Sequence, residues 1–529
     1  MCECLLCGTW EILTAIQGNF LLGSGKVKLL KRRPYIHAVR KSDRFIVVKK
    51  PENKTESKID AGRSGFGGAK GSIHLEQRAM PDWTATQSAE AKSSGLARLH
   101  QAARKNRSLQ FNNLLHHITP KLLLEAYKQL NRRSAKGVDG EDWKSYGKDL
   151  NQRLANLHKR IHTRQYRPQP VKRIWIPKPN GEQRPIGVTA VEDKVVQQSL
   201  VWVLESIYEA DFLGFSYGFR PNRNQHQALD AVYVAITRKK VSWVLDADYR
   251  KFFDTLQHNW LIRFMQHRIA DKRLLRLIQK VLKAGVIDET GFSRTEIGAP
   301  QGAVISPLLA NIYLHYALDL WSHRWRKTQA RGECYIVRYA DDSVLAFQYR
   351  TDGEHYQEAL KARLEKFGLK LNESKTKLIE FGRFAASNRR QRGESKPDTF
   401  DFLGFTHICS KTRFTKKYKL RRITISKKMR AKLHEIKQEL RKRMNIPIYD
   451  QGRWLKSLVQ GYFNYYAVPD NTRSLDRFKT AVTRMWLKAL RRRSQKSTLN
   501  WKKFEKLCRL FFSSPKVLHP YPGERFDVR

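Results

Sequence analysis

The spacing of apolar residues changes several times along this 529-residue chain. Residues 1–45 show little pattern and residues 50–95 are rich in Gly, Ser and Lys, which predicts a basic, flexible N-terminal extension over residues 1–95. Beyond Leu96 the apolar residues recur at helical spacing. One predicted helix begins at Pro120 with Thr119 as its cap, and another covers Leu150 to Ile161.

Tyr166 to Pro185 has the pattern of a β-hairpin, with extended segments on both sides of Pro179-Asn180-Gly181. Its basic residues Lys172, Lys178 and Arg184 stand six positions apart, so an extended chain would place them on one face. Such a face suits phosphate binding. A merely solvated face agrees with the same pattern.

The centre of the chain alternates between strand and helix patterns. A strand is predicted over Val241 to Leu245, and a long apolar helix begins at Pro307, for which Ser306 is the expected cap. Asp254 is expected to cap the helix that follows it. This alternation predicts an α+β fold built on a sheet.

A second hairpin is predicted where Tyr339-Ala340-Asp341-Asp342 lies between two β-prone runs, residues 335–338 and 343–347. Two adjacent carboxylates repel each other, and a hydrophobic hairpin tolerates this poorly unless a cation neutralises them. Taken alone, the pair also fits an ordinary solvated turn.

The chain beyond Cys409 is strongly basic. Between Lys411 and Arg443 there are 15 Lys or Arg residues and two acidic residues. Four apolar residues there fall on one helical face: Met429, Leu433, Ile436 and Leu440. A helical bundle with solvated charges fits this pattern, but interleaved aromatic residues and one-sided charge favour an RNA-binding bundle.

The whole composition agrees with a polyanionic partner. The chain has 102 Lys plus Arg against 49 Asp plus Glu, a formal charge of +53, so nucleic acid is the leading expected partner and an anionic membrane surface the second. No apolar run approaches the roughly 18 residues of a membrane span. Cys2, Cys4 and Cys7 crowd the N-terminus without a paired CxxC motif, which disfavours a disulfide scaffold and a zinc ribbon.

The acidic residues suggest one specific chemistry. Phosphoryl transfer to a polynucleotide uses two Mg²⁺ ions held by carboxylates, one near the attacking hydroxyl and one on the triphosphate. Asp341 and Asp342 supply two carboxylates, and a neighbouring strand end should supply a third. Asp248 is the candidate and Asp246 its competitor, because both would lie on the same face of an ideal strand.

These motifs together resemble the group II intron-encoded reverse transcriptase/maturase family from about residue 96 to the end. The resemblance rests on several motifs in one order: Lys136 to Gly140, Ile176 to Pro185, Phe215 to Pro221, Asp248 to Asp254, Gly298 to Leu309, Tyr339 to Asp342, Leu369 to Asn372, Phe402 to Phe405 and Gly461 to Tyr466. It implies a right-hand polymerase with fingers and a palm of antiparallel sheet, followed by an all-α thumb/maturase domain. The implied domains are 96–240 (N-terminal helices and fingers), 241–410 (palm) and 411–529 (thumb/maturase and tail).

The resemblance also assigns roles to individual residues. It selects Asp248 over Asp246 as the third metal and catalytic residue beside Asp341 and Asp342. The implied nucleotide-binding residues are Lys178, Arg184, Phe253, Gln301 and Lys375. Among these, the Phe253 ring would exclude a 2′-hydroxyl and so favour dNTPs, although an ordinary core Phe also fits, and the Gln301 turn would otherwise be structural.

The implied function is RNA-directed DNA polymerase and intron maturase, with two Mg²⁺ ions as cofactor. Expected partners are intron and template RNA, a DNA primer or target and dNTPs, and no membrane. The expected form is a ribonucleoprotein in the bacterial cytoplasm, with an organellar matrix as the alternative. Lacking paired cysteines, the chain is not expected to carry an HNH endonuclease. A splicing-only maturase and a reverse transcriptase recruited elsewhere, for example to host defence, are the alternatives, while an RNA polymerase is disfavoured by Phe253.

Overall fold

A four-stranded antiparallel sheet lies at the centre of the fold. The computed structural model describes residues 46–48, 94–177, 183–493 and 499–528, so the proposed N-terminal extension with its three cysteines lies almost wholly outside the described residues. The strands of the central sheet are β4 (Trp243–Asp248), β7 (Cys334–Tyr339), β8 (Asp342–Phe347) and β9 (Lys377–Glu380). They lie in the order β7-β8-β4-β9.

Three smaller sheets surround this one. The first has the order β3-β2-β5-β6, and its strands are β2 (Val171–Pro177), β3 (Gln183–Val188), β5 (Val286–Asp288) and β6 (Gly291–Ser293). The second consists of β10 (Phe400–Phe402), β11 (Phe405–Lys411) and β12 (Tyr418–Thr424). The third pairs β1 (Ile46–Val48) with β13 (Phe526–Val528).

Helices cover both faces of the central sheet. Those before β4 are α1 (Ser94–Lys105), α2 (Pro120–Gln129), α3 (Trp143–Tyr146), α4 (Leu150–His162), α5 (Val191–Tyr208) and α6 (Gln225–Arg238). Those from β4 to β10 are α7 (Phe252–Thr255), α8 (His258–Gln266), α9 (Lys272–Leu282), α10 (Ser306–Leu314), α11 (Leu320–Thr328), α12 (Arg350–Glu365) and α13 (Ala385–Gln391). Short 3₁₀ and π segments cover Leu115–His117 and His315–Asp319.

The C-terminal part is a helical bundle. Its helices are α14 (Ser426–Lys442), α15 (Ile448–Tyr466), α16 (Thr472–Arg491) and α17 (Trp501–Phe511), followed by the short α18 (Pro522–Arg525). Ile436 and Leu440 of α14 are buried in its core with Phe478 and Trp486 of α16, while Met429 and Leu433 pack at the edge. The four apolar positions predicted for α14 therefore do face a core.

Alternation along β4 explains why the central sheet has two buried faces. Leu245 and Ala247 belong to the largest core, with the helices on one side, whereas Val244 belongs to a second core with α6 and the β10–β12 sheet. Asp246 and Asp248 share the Val244 face by the same parity. The acidic residues thus lie on the side of the sheet that faces β10–β12.

Several local predictions are confirmed. Thr119 caps α2 by accepting a hydrogen bond from the Leu122 amide, and α4 covers the predicted 150–161 segment. Both predicted hairpins form, although Lys178 and the rest of the first turn lie outside the described residues. Among the described residues, no helix is long and apolar enough to span a bilayer.

Two predicted caps are wrong. Ser306 is the first residue of α10, Ile305 occupies the cap position, and no side chain caps that helix. Asp254 lies inside α7, and Gln257 precedes α8 without a capping hydrogen bond. The cap position is one residue before the predicted one at Ser306 and three residues after it at Asp254.

The proposed boundary at residue 411 falls inside a sheet. Strands β11 and β12 pair from Phe405↔Thr424 to Lys411↔Tyr418, so a hairpin crosses that position. The helical bundle begins at Ser426. The turn of this hairpin and the β12 strand are basic, and this charge made them resemble the helical segment that follows.

Candidate active site

The strand register brings three aspartates to one end of the central sheet. Asp248 is the last residue of β4 and pairs with Asp342, the first residue of β8. Asp342 in turn pairs with Tyr339 across the hairpin, which leaves Ala340 and Asp341 as a two-residue turn. The backbone therefore places Asp248, Asp341 and Asp342 together, as the sequence predicted.

The turn itself has a left-handed backbone at Ala340, with φ of 55°. A residue with a Cβ in this region is strained, so the surrounding structure has to hold it there. Arg338 does so by donating a hydrogen bond from Nη1 to the Ala340 carbonyl oxygen at 2.8 Å. The position of Asp341 thus depends on a side chain three residues earlier.

Arg338 is itself held by a buried polar network. Its guanidinium donates to both carboxylate oxygens of Asp319, at 2.7 and 2.6 Å, and to Asn311 Oδ1 and Ser216 Oγ at 3.1 and 2.7 Å. The Arg338 and Asp319 side chains are 0% and 1% exposed. A buried ion pair of this kind is stabilising only when every polar atom has a partner, which the network provides.

A loop from α5 to α6 runs beside β7 and supports the same turn. The Tyr217 amide donates to the Arg338 carbonyl at 2.8 Å, and the Arg338 amide donates to the Phe215 carbonyl at 2.9 Å. A Cβ on Gly218 would lie 2.3 Å from the Ala340 nitrogen. The Phe215–Pro221 motif is thus a backbone support for the turn, and Gly218 allows the close approach.

The local electrostatics favour a bound cation. Burial raises the pKa of Asp341, and Asp248 raises it further. Burial, then the charge of Asp341, raises the pKa of Asp342 to about 6, although its side chain reaches solvent. Clustered carboxylates with raised pKa values are each destabilised by the others' charge, and a divalent cation would remove that cost.

Asp248 is also engaged by the 372–375 turn. Its Oδ2 accepts a hydrogen bond from Asn372 Nδ2 at 2.8 Å and lies 3.7 Å from Lys375 Nζ. Within the described ranges, no group of three or more His, Cys, Asp or Glu side chains is arranged to share one ion. The three aspartates fit metal binding by their donor chemistry and register, and Lys375 lies where it can neutralise Asp248.

Asp246 lies two pairs deeper in the sheet. It pairs with Val344 of β8 and Lys377 of β9, away from the hairpin turn. Burial, followed by the charges of Asp342 and Asp248, raises its pKa to about 7. Asp246 therefore lies beside the three aspartates but away from the strand end where they meet.

Arg184 and Gln301 meet at the edge of the site. Arg184 Nε donates to Gln301 Oε1 at 2.8 Å, and the Gly187 amide donates to the Gln301 carbonyl oxygen. The positive charge of Arg184 also acts to lower the pKa of Asp341, against the effect of burial. The structure therefore brings together three predicted site residues from β3, the Gly298–Gly302 turn and the β7–β8 hairpin, while Lys178 lies outside the described residues.

Phe253 lies on α7 between the main core and the Gly298 turn. Its side chain is half-buried against the core, and its carbonyl oxygen accepts a hydrogen bond from the Ala299 amide at 2.8 Å. Gly298 has φ of 86°, and a Cβ there would lie 3.0 Å from the Phe253 carbonyl oxygen. The turn that carries Gln301 is thus fixed directly on the backbone of Phe253.

Sequence reasoning missed the residues that support the site. Arg338 and Asp319 were not predicted, although an arginine within the apolar run 335–339 was a visible signal of a buried ion pair. Lys428 of α14, whose charge lowers the pKa of Asp342, gave no such signal because it is one of many lysines in its segment. Only the tertiary structure distinguishes it.

Known proteins resemble this chain in the same region. A family model described as reverse transcriptase (RNA-dependent DNA polymerase) matches residues 176–407. Protein YkfC of Escherichia coli (strain K12) is 35% identical over 343 residues, which cover 58% of this chain and 86% of that protein.

Two further relatives carry intron-related names. The group II intron-encoded protein LtrA of Lactococcus lactis subsp. cremoris is 33% identical over 225 residues, 42% of this chain and 37% of LtrA. Nuclear intron maturase 4, mitochondrial, of Arabidopsis thaliana is 29% identical over 141 residues, 26% of this chain and 17% of that protein. The chain thus spans most of YkfC but little more than a third of LtrA. The aspartate arrangement, the family match and the similarity to YkfC show that the chain belongs to the reverse transcriptase (RNA-dependent DNA polymerase) family.

Proposed function

We propose that this protein copies RNA into DNA at the end of the central sheet, with Asp248, Asp341 and Asp342 holding two Mg²⁺ ions. The observation that carries the proposal is the pairing of Asp248 with Asp342 beside the turn that presents Asp341. When bound, the two ions would activate the primer 3′-hydroxyl and stabilise the charge on the triphosphate. The protein contributes the fixed positions of the three carboxylates.

Around these carboxylates, Arg184 and Lys178 would bind the triphosphate of the incoming nucleotide. The Arg184 guanidinium has donors left after its 2.8 Å bond to Gln301, and a guanidinium can bind phosphate oxygens in bidentate fashion. Gln301 therefore orients Arg184 towards the site. Lys375 would balance the charge of Asp248 while the nucleotide is absent.

The half-buried ring of Phe253 would lie under the sugar of the nucleotide. Its backbone is fixed to the Gln301 turn by the Ala299 hydrogen bond, and its side chain packs against the main core. A rigid ring at this place would collide with a 2′-hydroxyl, which favours dNTPs. The substrates would therefore be dNTPs, a DNA primer and an RNA template.

The helical bundle would bind the protein's own intron RNA and assist its splicing and mobility. Support comes from the eight Lys or Arg residues between Ser426 and Arg443 and from the intron-related names of the relatives. The working form would be a ribonucleoprotein in the bacterial cytoplasm or an organellar matrix. A splicing-only maturase, or a reverse transcriptase with another role such as host defence, would share the fold, and the first is disfavoured by the intact aspartates.

Primer extension with purified protein tests the polymerase proposal. With a primed RNA template and Mg²⁺, we expect extension with dNTPs and little with rNTPs. Asp341→Ala should abolish extension, because it removes a carboxylate from the site, while RNA binding stays nearly intact. Extension by the Asp341→Ala protein at the wild-type rate would contradict the metal assignment.

The neighbouring aspartate provides a matched control. Asp248→Asn should abolish extension, whereas Asp246→Asn, which changes the same chemical group two pairs deeper in the sheet, should retain it. If Asp246→Asn is inactive and Asp248→Asn is active, the assignment of the third ligand is reversed.

A further inference from the structure

The β11–β12 hairpin ends in a tip with no role in the site described above. We infer that this tip, residues 411–417, binds RNA by stacking Phe414 on an unpaired base while the adjacent basic side chains contact the phosphates. The inference rests on the proposed function for its partner class, and it adds a contact surface outside the polymerase site.

Phe414 is exposed to an unusual degree. Its side chain is 89% accessible, more than that of any other exposed large hydrophobic residue among the described residues. The tip residues Thr412 to Lys417 include no Gly, Pro, Asn or Asp, the residues that a simple connecting turn favours. An exposed aromatic ring at the apex of a turn offers a free face on which an unpaired base can stack.

The tip is ordered by its own hydrogen bonds. The Thr412 amide donates to the Lys417 carbonyl at 2.8 Å, the Lys417 amide donates to Thr412 Oγ1 at 3.1 Å, and Thr412 Oγ1 lies 2.6 Å from Thr415 Oγ1. Lys416 completes the loop with a left-handed backbone, φ 53°. The ring is therefore presented at low entropic cost, as a stacking platform requires.

The base of the hairpin is anchored in the protein. Strands β11 and β12 form seven successive pairs, and Arg422 near the base makes a buried ion pair with Asp230 of α6 at 2.8 Å. Lys419 is paired with Asp470. A firmly held hairpin can transmit a contact at its tip to the body of the molecule.

The charge of the hairpin selects an anionic partner. Residues 405–424 contain seven Lys or Arg and no acidic residue. Lys411, Arg413, Lys416 and Lys417 are exposed, and none of them makes an ion pair with the rest of the described chain. Basic side chains beside an exposed aromatic ring match a nucleic acid strand with splayed bases, and duplex bases are not available for stacking.

Binding of a short single-stranded RNA with one 2-aminopurine tests the inference in the full-length protein. We expect the fluorescence of the 2-aminopurine to be quenched when the RNA binds the wild-type protein. Phe414→Ala should weaken the affinity for the RNA by about 5- to 100-fold and reduce this quenching. Phe414→Trp should retain both, because it keeps an aromatic ring. Phe414→Leu, which is apolar but cannot stack, should behave like Phe414→Ala.

Other outcomes would overturn the inference. Equal RNA affinity of Phe414→Ala and wild type, or full affinity in Phe414→Leu, would exclude stacking. The same variants are compared on single-stranded DNA and duplex RNA of the same sequence. A loss of affinity in Phe414→Ala that is confined to duplex RNA would also exclude base stacking. Equal losses of affinity on single-stranded RNA and single-stranded DNA would support stacking without selection of the sugar. Unchanged thermal unfolding of the variants would show that they are folded.

The phosphate contacts have their own control pair. Lys417→Gln should reduce the slope of log affinity against log salt by roughly 1, while Lys366→Gln, an exposed lysine just beyond α12, should leave the slope unchanged. Equal effects of both would show a general charge effect instead of a local contact. Primer extension by wild type reports on the proposed polymerase separately, so failure of one proposal is distinguishable from failure of the other.

Discussion

Arg338 shows how a single residue positions the acidic turn. Its guanidinium joins Asp319, Asn311, Ser216 and the Ala340 carbonyl oxygen in one buried network. The network offsets the cost of burying two charges and fixes a strained residue beside Asp341. Position and stability of the turn therefore depend on the same atoms.

Replacement of Arg338 by Met should lower the free energy of unfolding by about 3–5 kcal/mol, because Asp319 would remain buried without its counter-charge. The double variant Arg338→Met/Asp319→Leu should recover part of that loss in denaturant titrations. It should still be poor in primer extension, because the Ala340 carbonyl has lost its donor. Full activity in the double variant would show that the network is only structural.

Asp193 gives a prediction about pH. It is buried, accepts hydrogen bonds from Tyr166 Oη and the Gln169 amide, and burial raises its pKa to about 6. A raised pKa means that the folded protein holds the proton more tightly than the unfolded chain, so this stabilisation is present at low pH and is lost as pH rises through about 6.

Asp193→Asn carries no charge at any pH, so its stability relative to wild type should increase between about pH 4.5 and pH 7.5, by about 2 kcal/mol. Urea denaturation of both proteins at the two pH values measures this difference. A difference that is independent of pH would mean that Asp193 has the same pKa in the folded and unfolded states.

At the scale of elements, the loop from α5 to α6 runs beside β7 at the edge of the four-stranded central sheet. It pairs through Ser216 with Arg338 of β7, and Asn311 Nδ2 donates to the Gly218 carbonyl oxygen at 2.7 Å. Gly218 then lies directly against the turn. The Phe215–Pro221 motif is thus explained by contact with the backbone rather than by chemistry.

Gly218→Ala should reduce primer extension by roughly tenfold or more, because an added Cβ 2.3 Å from the Ala340 nitrogen forces the turn away from Asp248. Gly214→Ala is the matched control in the same loop, where a Cβ would meet no atom within 4 Å. Equal rates for the two variants would contradict this view of the turn.

Several elements were predictable because local signals and tertiary structure agree. The hairpin at residues 339–342 follows from its β-prone flanks, and α2 follows from Thr119 and Pro120. The start of α10 was misplaced because Ser306 is inside the helix, and the Arg338 network was missed because its members come from four separate segments. Contacts between distant segments leave no periodic pattern in a sequence.

For the whole molecule, the formal charge of +53 dominates long-range behaviour. Counter-ions released from RNA should make binding strongly dependent on salt. If six to ten phosphates are contacted, RNA affinity should fall by about 10³- to 10⁵-fold between roughly 50 and 200 mM salt. Fluorescence anisotropy over that range measures the slope, and a flat response would contradict phosphate-dominated binding.

The α+β polymerase fold was predicted in class, while its internal division was less accurate. The increase in Lys and Arg content predicted a domain boundary at residue 411. The β11–β12 hairpin crosses that position and connects the central part of the molecule to the bundle. The basic composition of a segment indicates that it binds an anionic partner. The strand pairing determines which part of the fold the segment belongs to. Both segments are basic, and only one of them is helical.

The buried Arg338–Asp319 pair has one further consequence, for heat inactivation. Because the acidic turn is hydrogen-bonded into the core through Arg338, and the Arg338 and Asp319 side chains are 0% and 1% exposed, we expect the turn to loosen only together with that core. Activity should therefore persist on warming until the surrounding core melts, and then disappear in the same transition. The thermal stability of the core therefore limits the temperature at which the enzyme is active. Variants selected for heat tolerance should have substitutions in the packing around Arg338 and Asp319.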